Sequence, residues 1–459
     1  MLQRTWADER SSETLELVQF RFRRRHLSNM QALFTLMGLV KLVLGERERK
    51  KYSFVVYLVH CLHYHWAARK PTLTHQDSDT ARHVLDTCHR LLQKYHPTWY
   101  LFNGHLQTMM VALSNKAPQI AYKRQLLTLP DGGTVSLDWA LPTSMVVESI
   151  NDKTNQPTIL MLHGLTGSSE EPYIRKTVEK LLTDGWRVVV LNARGCGRNP
   201  VTSSKLFCPA YTDDVREAVN HVIHQHLTPG APLLAIGFSL GANILLKYIG
   251  EEGPRCPLKA AVSVANPYDF VVTNLHMTHS WFNRIVYNAG MTQNLLKMVF
   301  HETNAHEHLV DHPHIDMARL REAKTLTEYD DHFSRHTFGY LTPMDLYRDA
   351  SSAAYLKHIA IPTLCLSAAD DPICPHTVIP YAECRANPNI VLAVTHSGGH
   401  IGYFTSQHLF DDSPSMWCAD VVAQYVGSML DMKAKKASGD ETPTDDDDDG
   451  GVMRMPCPL

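Results

Sequence analysis

The chain has 459 residues, with 44 Lys and Arg against 47 Asp and Glu and a formal net charge of −3. That length exceeds one ordinary domain and suits one large α/β domain with additions. The charge balance excludes the basic footprint of a nucleic-acid binder, and ten cysteines without a C-x-x-C pair point to reduced thiols rather than a disulfide framework.

The first hundred residues carry the least pattern. Arg21-Phe-Arg-Arg-Arg25 precedes an apolar stretch from Met30 to Leu44 that Lys41 interrupts, and a charged break, Glu46 to Lys51, follows. A second stretch, Tyr52 to Ala68, mixes Val, Leu, Tyr and Trp with His60, His63 and His65. Neither is a run of roughly eighteen apolar residues, the usual requirement for a spanning helix. Basic flanks beside Tyr and Trp predict association with a membrane surface, with the anchor within residues 21–68. The apolar stretch starts late and no clear cleavage site follows it, which speaks against a removed signal peptide. The expected division is residues 1–95 for this helical, membrane-associating region, 96–430 for a catalytic domain, and 431–459 for an acidic, disordered tail containing Asp445 to Asp449.

From Arg124 the chain alternates. Two strand-like runs about Pro130-Asp-Gly-Gly133 read as a hairpin at an antiparallel sheet edge. Buried strands are predicted at Ile159–Leu162, Arg187–Leu191, Leu233–Ile236, Ala260–Val264, Thr363–Ser367 and Ile390–Thr395, with helices at Tyr173–Thr183 and Asp213–His226. Continuous apolar strands separated by helices predict a mostly parallel, doubly covered sheet. Between Asn266 and about Ser352 the alternation gives way to a helical insertion holding Met277, Trp281, Phe282, Met291, Met298 and Phe300. Its apolar underside is expected to receive an acyl chain, although most of these residues are expected to pack the insertion onto the sheet. His301, His306, His308, His312 and His314 with Asp316 match no established zinc spacing and read as a solvated segment.

The segment that carries chemistry is Gly237-Phe-Ser-Leu-Gly241, set between an apolar strand and an amphipathic helix. G-x-S-x-G in that context is a strained turn that lifts a serine hydroxyl above the sheet, with glycine wherever a side chain would meet neighbouring chain. Ser239 is therefore the candidate nucleophile, and it needs a base and a group to orient that base. The strand at Thr363–Ser367 runs into Asp370-Asp371, and the strand at Ile390–Thr395 runs into Gly398-Gly-His400. Adjacent side chains at a strand end point opposite ways. Asp371 is favoured as the acid, since Pro375 stands at the usual spacing after it, and Asp370 becomes a loop cap. His400 is favoured over His396 because two glycines let its loop reach the serine. Leu240 N–H and Leu165 N–H, the latter in His163-Gly-Leu-Thr-Gly167, are the candidate oxyanion donors. His163 is expected to order its loop, and Cys196 and Cys374, near the same face, to pack.

Further segments occur in order around these: Pro97-Thr-Trp-Tyr100, Asn103-Gly-His-Leu-Gln-Thr108, Asp131-Gly-Gly133, Tyr173, Asn192-Ala-Arg-Gly-Cys-Gly197, Phe338-Gly-Tyr340 and Gly398-Gly-His-Ile-Gly-Tyr403. Together they resemble the AB hydrolase 4 family of α/β-hydrolases, membrane-associated esterases and lipases, from about Pro97 to about Val426. The resemblance implies the α/β-hydrolase fold with a helical cap, and places Ser239, Asp371 and His400 at the family's three catalytic positions. It implies a lipid ester substrate, either a glycerophospholipid or an acylglycerol. It also implies an endomembrane location and no cofactor or metal. An acyltransferase using the same triad, or a binding protein on the same scaffold, are the competing expectations.

Overall fold

Runs of four to six mostly apolar residues alternate with helices, and in the computed structural model they assemble into one sheet. The structure describes residues 61–432 apart from positions 64, 114–115, 143–149, 151, 311, 407–410 and 412. The strands are β1 (Thr72–Thr74), β2 (Lys123–Thr128), β3 (Thr134–Ala140), β4 (Thr158–Leu162), β5 (Arg187–Asn192), β6 (Leu233–Phe238), β7 (Ala261–Val264), β8 (Thr363–Ala368) and β9 (Ile390–Thr395). Their order across the nine-stranded sheet is β1-β9-β8-β7-β6-β4-β5-β3-β2. Pairings from β9 to β5 are parallel, whereas β1, β3 and β2 pair antiparallel and close the two edges.

The period of two along each strand divides the core. Ile159 and Met161 of β4 and Val188 and Val190 of β5 face helices α1 (Asp79–Thr87), α3 (Pro172–Thr183) and α9 (Trp417–Asp431). Their neighbours Leu160, Leu162, Val189 and Leu191 face α4 (Asp213–His221) and α5 (Leu240–Glu252) on the other side. Each fully buried Val, Leu or Ile contributes about 1.5–3 kcal/mol, so both faces hold the sheet strongly. The hairpin is fastened to the centre by ions: Arg194, after β5, is buried and pairs with Asp131 (2.9 Å) in the hairpin turn and Asp214 (2.7 Å) at the start of α4. A Cβ at Gly133 would fall 2.1 Å from Arg194 Nη1, so the guanidinium lies directly on that glycine.

One expectation is corrected. The boundary at residue 96 falls inside the folded domain, because β1 pairs Thr72 with Val394 and Thr74 with Leu392, and Ala81 and Val84 of α1 enter the core. Three residues after Pro71 carry too little pattern to announce a strand, and β1 exists only because β9 completes it. Most of the segment expected to associate with a membrane, and nearly all of the acidic tail, lie outside the described residues. Among the described residues no helix is long and apolar enough to cross a membrane.

The helical insertion lies between β7 and β8. Its main helices are α6 (Phe270–His279), α7 (Ala289–Lys297) and α8 (Pro343–Ala350), joined by shorter turns that include wide π turns at Arg284–Asn288, Met298–Glu302 and Asp330–Ser334. This cap has its own core, in which Leu296, Met298, Val299 and Phe333 pack on Cys196 and Leu206. Met277 and Met291 instead line a pocket, while Trp281 is 69% exposed. Of the histidine-rich segment, His301, His306, His308 and His314 are exposed, and Asp316 accepts the Ala318 and Arg319 N–H groups as a helix cap.

Candidate active site

Strand β6 ends at Phe238 and α5 begins at Leu240, so Ser239 alone makes the corner. It takes φ 52° and ψ −119°, a conformation side-chain-bearing residues rarely adopt. The corner closes only because its flanks lack side chains. A Cβ at Gly237 would fall 2.5 Å from Gly241 O, and one at Gly241 would fall 2.4 Å from His163 O. The Ser239 N–H donates to Val264 O (2.9 Å), which fixes the strained residue to β7.

Ser239, His400 and Asp371 come together across three different strand ends. His400 Nε2 lies 2.7 Å from Ser239 Oγ, and His400 Nδ1 lies 2.8 Å from Asp371 Oδ2. The other carboxylate oxygen of Asp371 accepts the N–H groups of Ile373 (2.8 Å) and Cys374 (2.9 Å). Those two bonds fix the plane of the carboxylate and leave Oδ2 for the imidazole. Asp371 and His400 are both buried. Glycine at 398 and 399, with φ 152° and 57°, makes the turn that delivers His400.

The competing residues fall elsewhere. Asp370 Oδ1 accepts the Gly399 N–H (2.9 Å) and so caps the histidine loop, and burial beside the Asp371 charge raises its carboxyl to about 7. His396 is exposed directly after β9. The Cys374 thiol lies 3.7 Å from His400 Nδ1, and burial together with the Asp371 charge pushes its pKa well up, so it stays a protonated packing group. Asp371, Cys374 and His400 offer donor atoms within 4.8 Å of one another, but the carboxylate and imidazole are already joined to each other.

The loop after β4 abuts the serine. A Cβ at Gly164 would fall 3.3 Å from Ser239 Cβ, so this loop lies close against the serine. Tyr173 Oη accepts the Gly164 N–H (2.9 Å), while His163 Nδ1 donates to Gly164 O (2.7 Å) and Nε2 accepts the Ala193 N–H (3.1 Å). Burial lowers the His163 pKa to about 4, so its ring is neutral and orders the loop without titrating near neutrality. The Leu165 and Leu240 N–H groups make no backbone hydrogen bond among the described residues.

A pocket with a cavity volume of about 100 Å³ opens from Ser239 beneath the cap, lined by Phe207, Phe270, Met277, Met291, Leu295 and Leu326. One carboxyl interrupts this lining. Asp330 accepts the Tyr347 O–H (2.7 Å), and burial raises its pKa to about 6. Nothing in the residue types marks Asp330 in advance, since an acid beside Glu328 and Asp331 reads as a solvated surface charge.

A doubly covered parallel sheet with a serine on a strand-to-helix corner, followed along the chain by aspartate and then histidine, defines the α/β-hydrolase class. The chain belongs to that family: the family model described as alpha/beta hydrolase fold matches residues 157–407. Phospholipase ABHD3 of Homo sapiens is 34% identical over 336 residues, 73% of this chain and 80% of that protein. Monoacylglycerol lipase of Saccharomyces cerevisiae is 29% identical over 360 residues, covering 71% and 78%. Medium-chain fatty acid ethyl ester synthase/esterase 2 of the same yeast is 29% identical over 389 residues, covering 71% and 84%. Among solved structures, the esterase Pf2001 of Pyrococcus furiosus is similar with a TM-score of 0.41 at 17% identity, over 68% of this chain and 90% of that one.

Proposed function

We propose that the protein hydrolyses carboxylic esters of lipids, of phospholipid or acylglycerol type, through a covalent acyl-enzyme on Ser239. His400, oriented by Asp371, takes the hydroxyl proton as Ser239 Oγ attacks the ester carbonyl. The Leu165 and Leu240 N–H groups receive the developing oxyanion, and His400 then protonates the departing alcohol. Water activated by the same imidazole releases the fatty acid. At the coarser level the protein is a carboxylic ester hydrolase, as its phospholipase, lipase and esterase relatives are. The observation that carries the mechanism is the continuous Ser239–His400–Asp371 relay at 2.7 and 2.8 Å. An apolar pocket opening on the serine suits an acyl chain, each buried methylene contributing about 0.8 kcal/mol.

A fluorophosphonate probe tests the chemistry. The folded wild-type protein should label and Ser239→Ala should not. A folded wild type that stays unlabelled sinks the mechanism. Turnover of a lipid extract then identifies the ester. A second reading is acyl transfer to an alcohol instead of water, favoured by the synthase/esterase name of the yeast relative. Ethyl ester formed alongside free acid when ethanol is added would establish it. For residues 21–68 we propose membrane association, tested by flotation of the full chain against a chain beginning at residue 61.

A further inference from the structure

Helix α2 (Gly104–Leu113) opens within Asn103-Gly-His-Leu-Gln-Thr108 and drives its first turns between the loops that carry Asp371 and His400. A Cβ at Gly104 would fall 1.8 Å from Asp370 O, and one at Gly399 would fall 2.4 Å from Gly104 O. Three backbones meet there with no side chain between them. Thr108 Oγ1 donates to Gly104 O (2.7 Å) and accepts the His400 N–H (2.9 Å). With its proton committed inside the helix, the hydroxyl can present only lone pairs to His400. Gln107, fully buried, donates to Leu101 O (2.9 Å) and accepts the Phe404 N–H (2.8 Å), which holds the chain on the far side of the histidine.

The same turn also reaches the cap. His105 Nδ1 lies 2.8 Å from Tyr287 Oη, its ring stacks on Tyr287, and Phe282 meets it edge-on at 4.9 Å between centroids. A second tether runs from the cap to the acid loop: Asn283 Nδ2 donates to Pro372 O (3.0 Å), next to Asp371, with His276 Nε2 3.1 Å from the same oxygen. The cap is therefore bonded to the element that holds the base and to the loop that holds the acid.

We infer that helix α2 is the joint between cap and His400, with Thr108 as the positioning residue for the histidine and His105 carrying the cap's attachment through Tyr287. This rests on the proposed role of His400 as the base. Displacing a catalytic group by a fraction of an ångström is enough to slow chemistry without weakening substrate binding.

The test uses the full chain, a short-chain p-nitrophenyl ester, and hydrogen exchange over residues 398–403, which reads the joint without turnover. Thr108→Val, nearly isosteric, should lower kcat by about 10- to 100-fold at little changed KM. Thr108→Ser should restore most of it. Tyr287→Phe should lower kcat a few fold and, like Thr108→Val, speed exchange in the histidine loop, and the double variant should be no worse than Thr108→Val alone. The inference is overturned if Thr108→Val keeps wild-type kcat despite a lower melting temperature, or if Thr108→Ser fails to rescue. It is also overturned if the two effects multiply, or if Tyr287→Phe leaves exchange over 398–403 unchanged. A wild type inactive on every ester but showing these exchange changes would refute the base role of His400 and leave the joint standing.

Discussion

The sheet and the cap build their cores by opposite means. Along β4, β5 and β6 every residue is buried, alternate side chains feed one of two continuous cores, and short parallel pairings fix the register. The cap is a chain of short helices and π turns around a small separate core, and it leaves Leu275, Trp281 and Ile285 at least half exposed. Chemistry needing sub-ångström placement sits on the first kind of structure. The pocket wall, which has only to fit a chain of methylenes, is supplied largely by the second. The lesson is a division of labour, and it can be attacked from either side.

The largest effect should come from the sheet side. Asp371→Asn keeps the shape of the acid but presents an amide where the imidazole N–H must donate, and kcat should fall by about 10⁴ with the melting temperature nearly unchanged. A steady-state assay beside a thermal melt separates the two. Gly241→Ala comes next. Its Cβ would fall 2.4 Å from His163 O and 2.6 Å from Leu162 O, both backbone atoms that cannot swing aside. A loss of about 2–3 kcal/mol in denaturant unfolding is expected, and activity should fall too, because the donor loop must move. An unchanged midpoint would mean that the corner is looser than its geometry.

The smallest effect belongs to the cap. Burial holds the Asp330 carboxyl at about 6, above its ordinary 3.8. A raised acid keeps its proton in the folded state after the unfolded chain has lost it, so its contribution is fullest below about pH 4 and is lost as pH rises to about 6. Asp330→Asn should therefore melt about 2–4 °C above wild type at pH 7–8 and close to it at pH 4. Equal melting temperatures at pH 8 would show that the carboxylate is better solvated than its surroundings suggest.

Legibility follows the same division. The six predicted buried strands, the hairpin and the elbow announce themselves locally, through runs of apolar residues and through glycines that a sharp corner demands. Choosing His400 over His396 also needed only local information, since Gly398 and Gly399 mark the turn that reaches the serine. What stayed hidden depends on partners distant in sequence. Strand β1 is Thr-Leu-Thr until Leu392–Val394 lies beside it, Thr108 is an ordinary helical threonine until His400 donates to it, and Asp330 looks like surface until the cap folds over it. The segment Asn103 to Thr108 is legible only through a family resemblance, because nothing in its residue types names the loops it separates.

The edge pairing of β1 has one more consequence. It pins Thr72 to the rim of the sheet, and residues just before it also stay against the domain, since His63 and Ala68 are buried and Arg69 bridges to Tyr95. A pull on the chain ahead of this stretch would therefore reach the sheet first at β9, the strand whose end leads to His400.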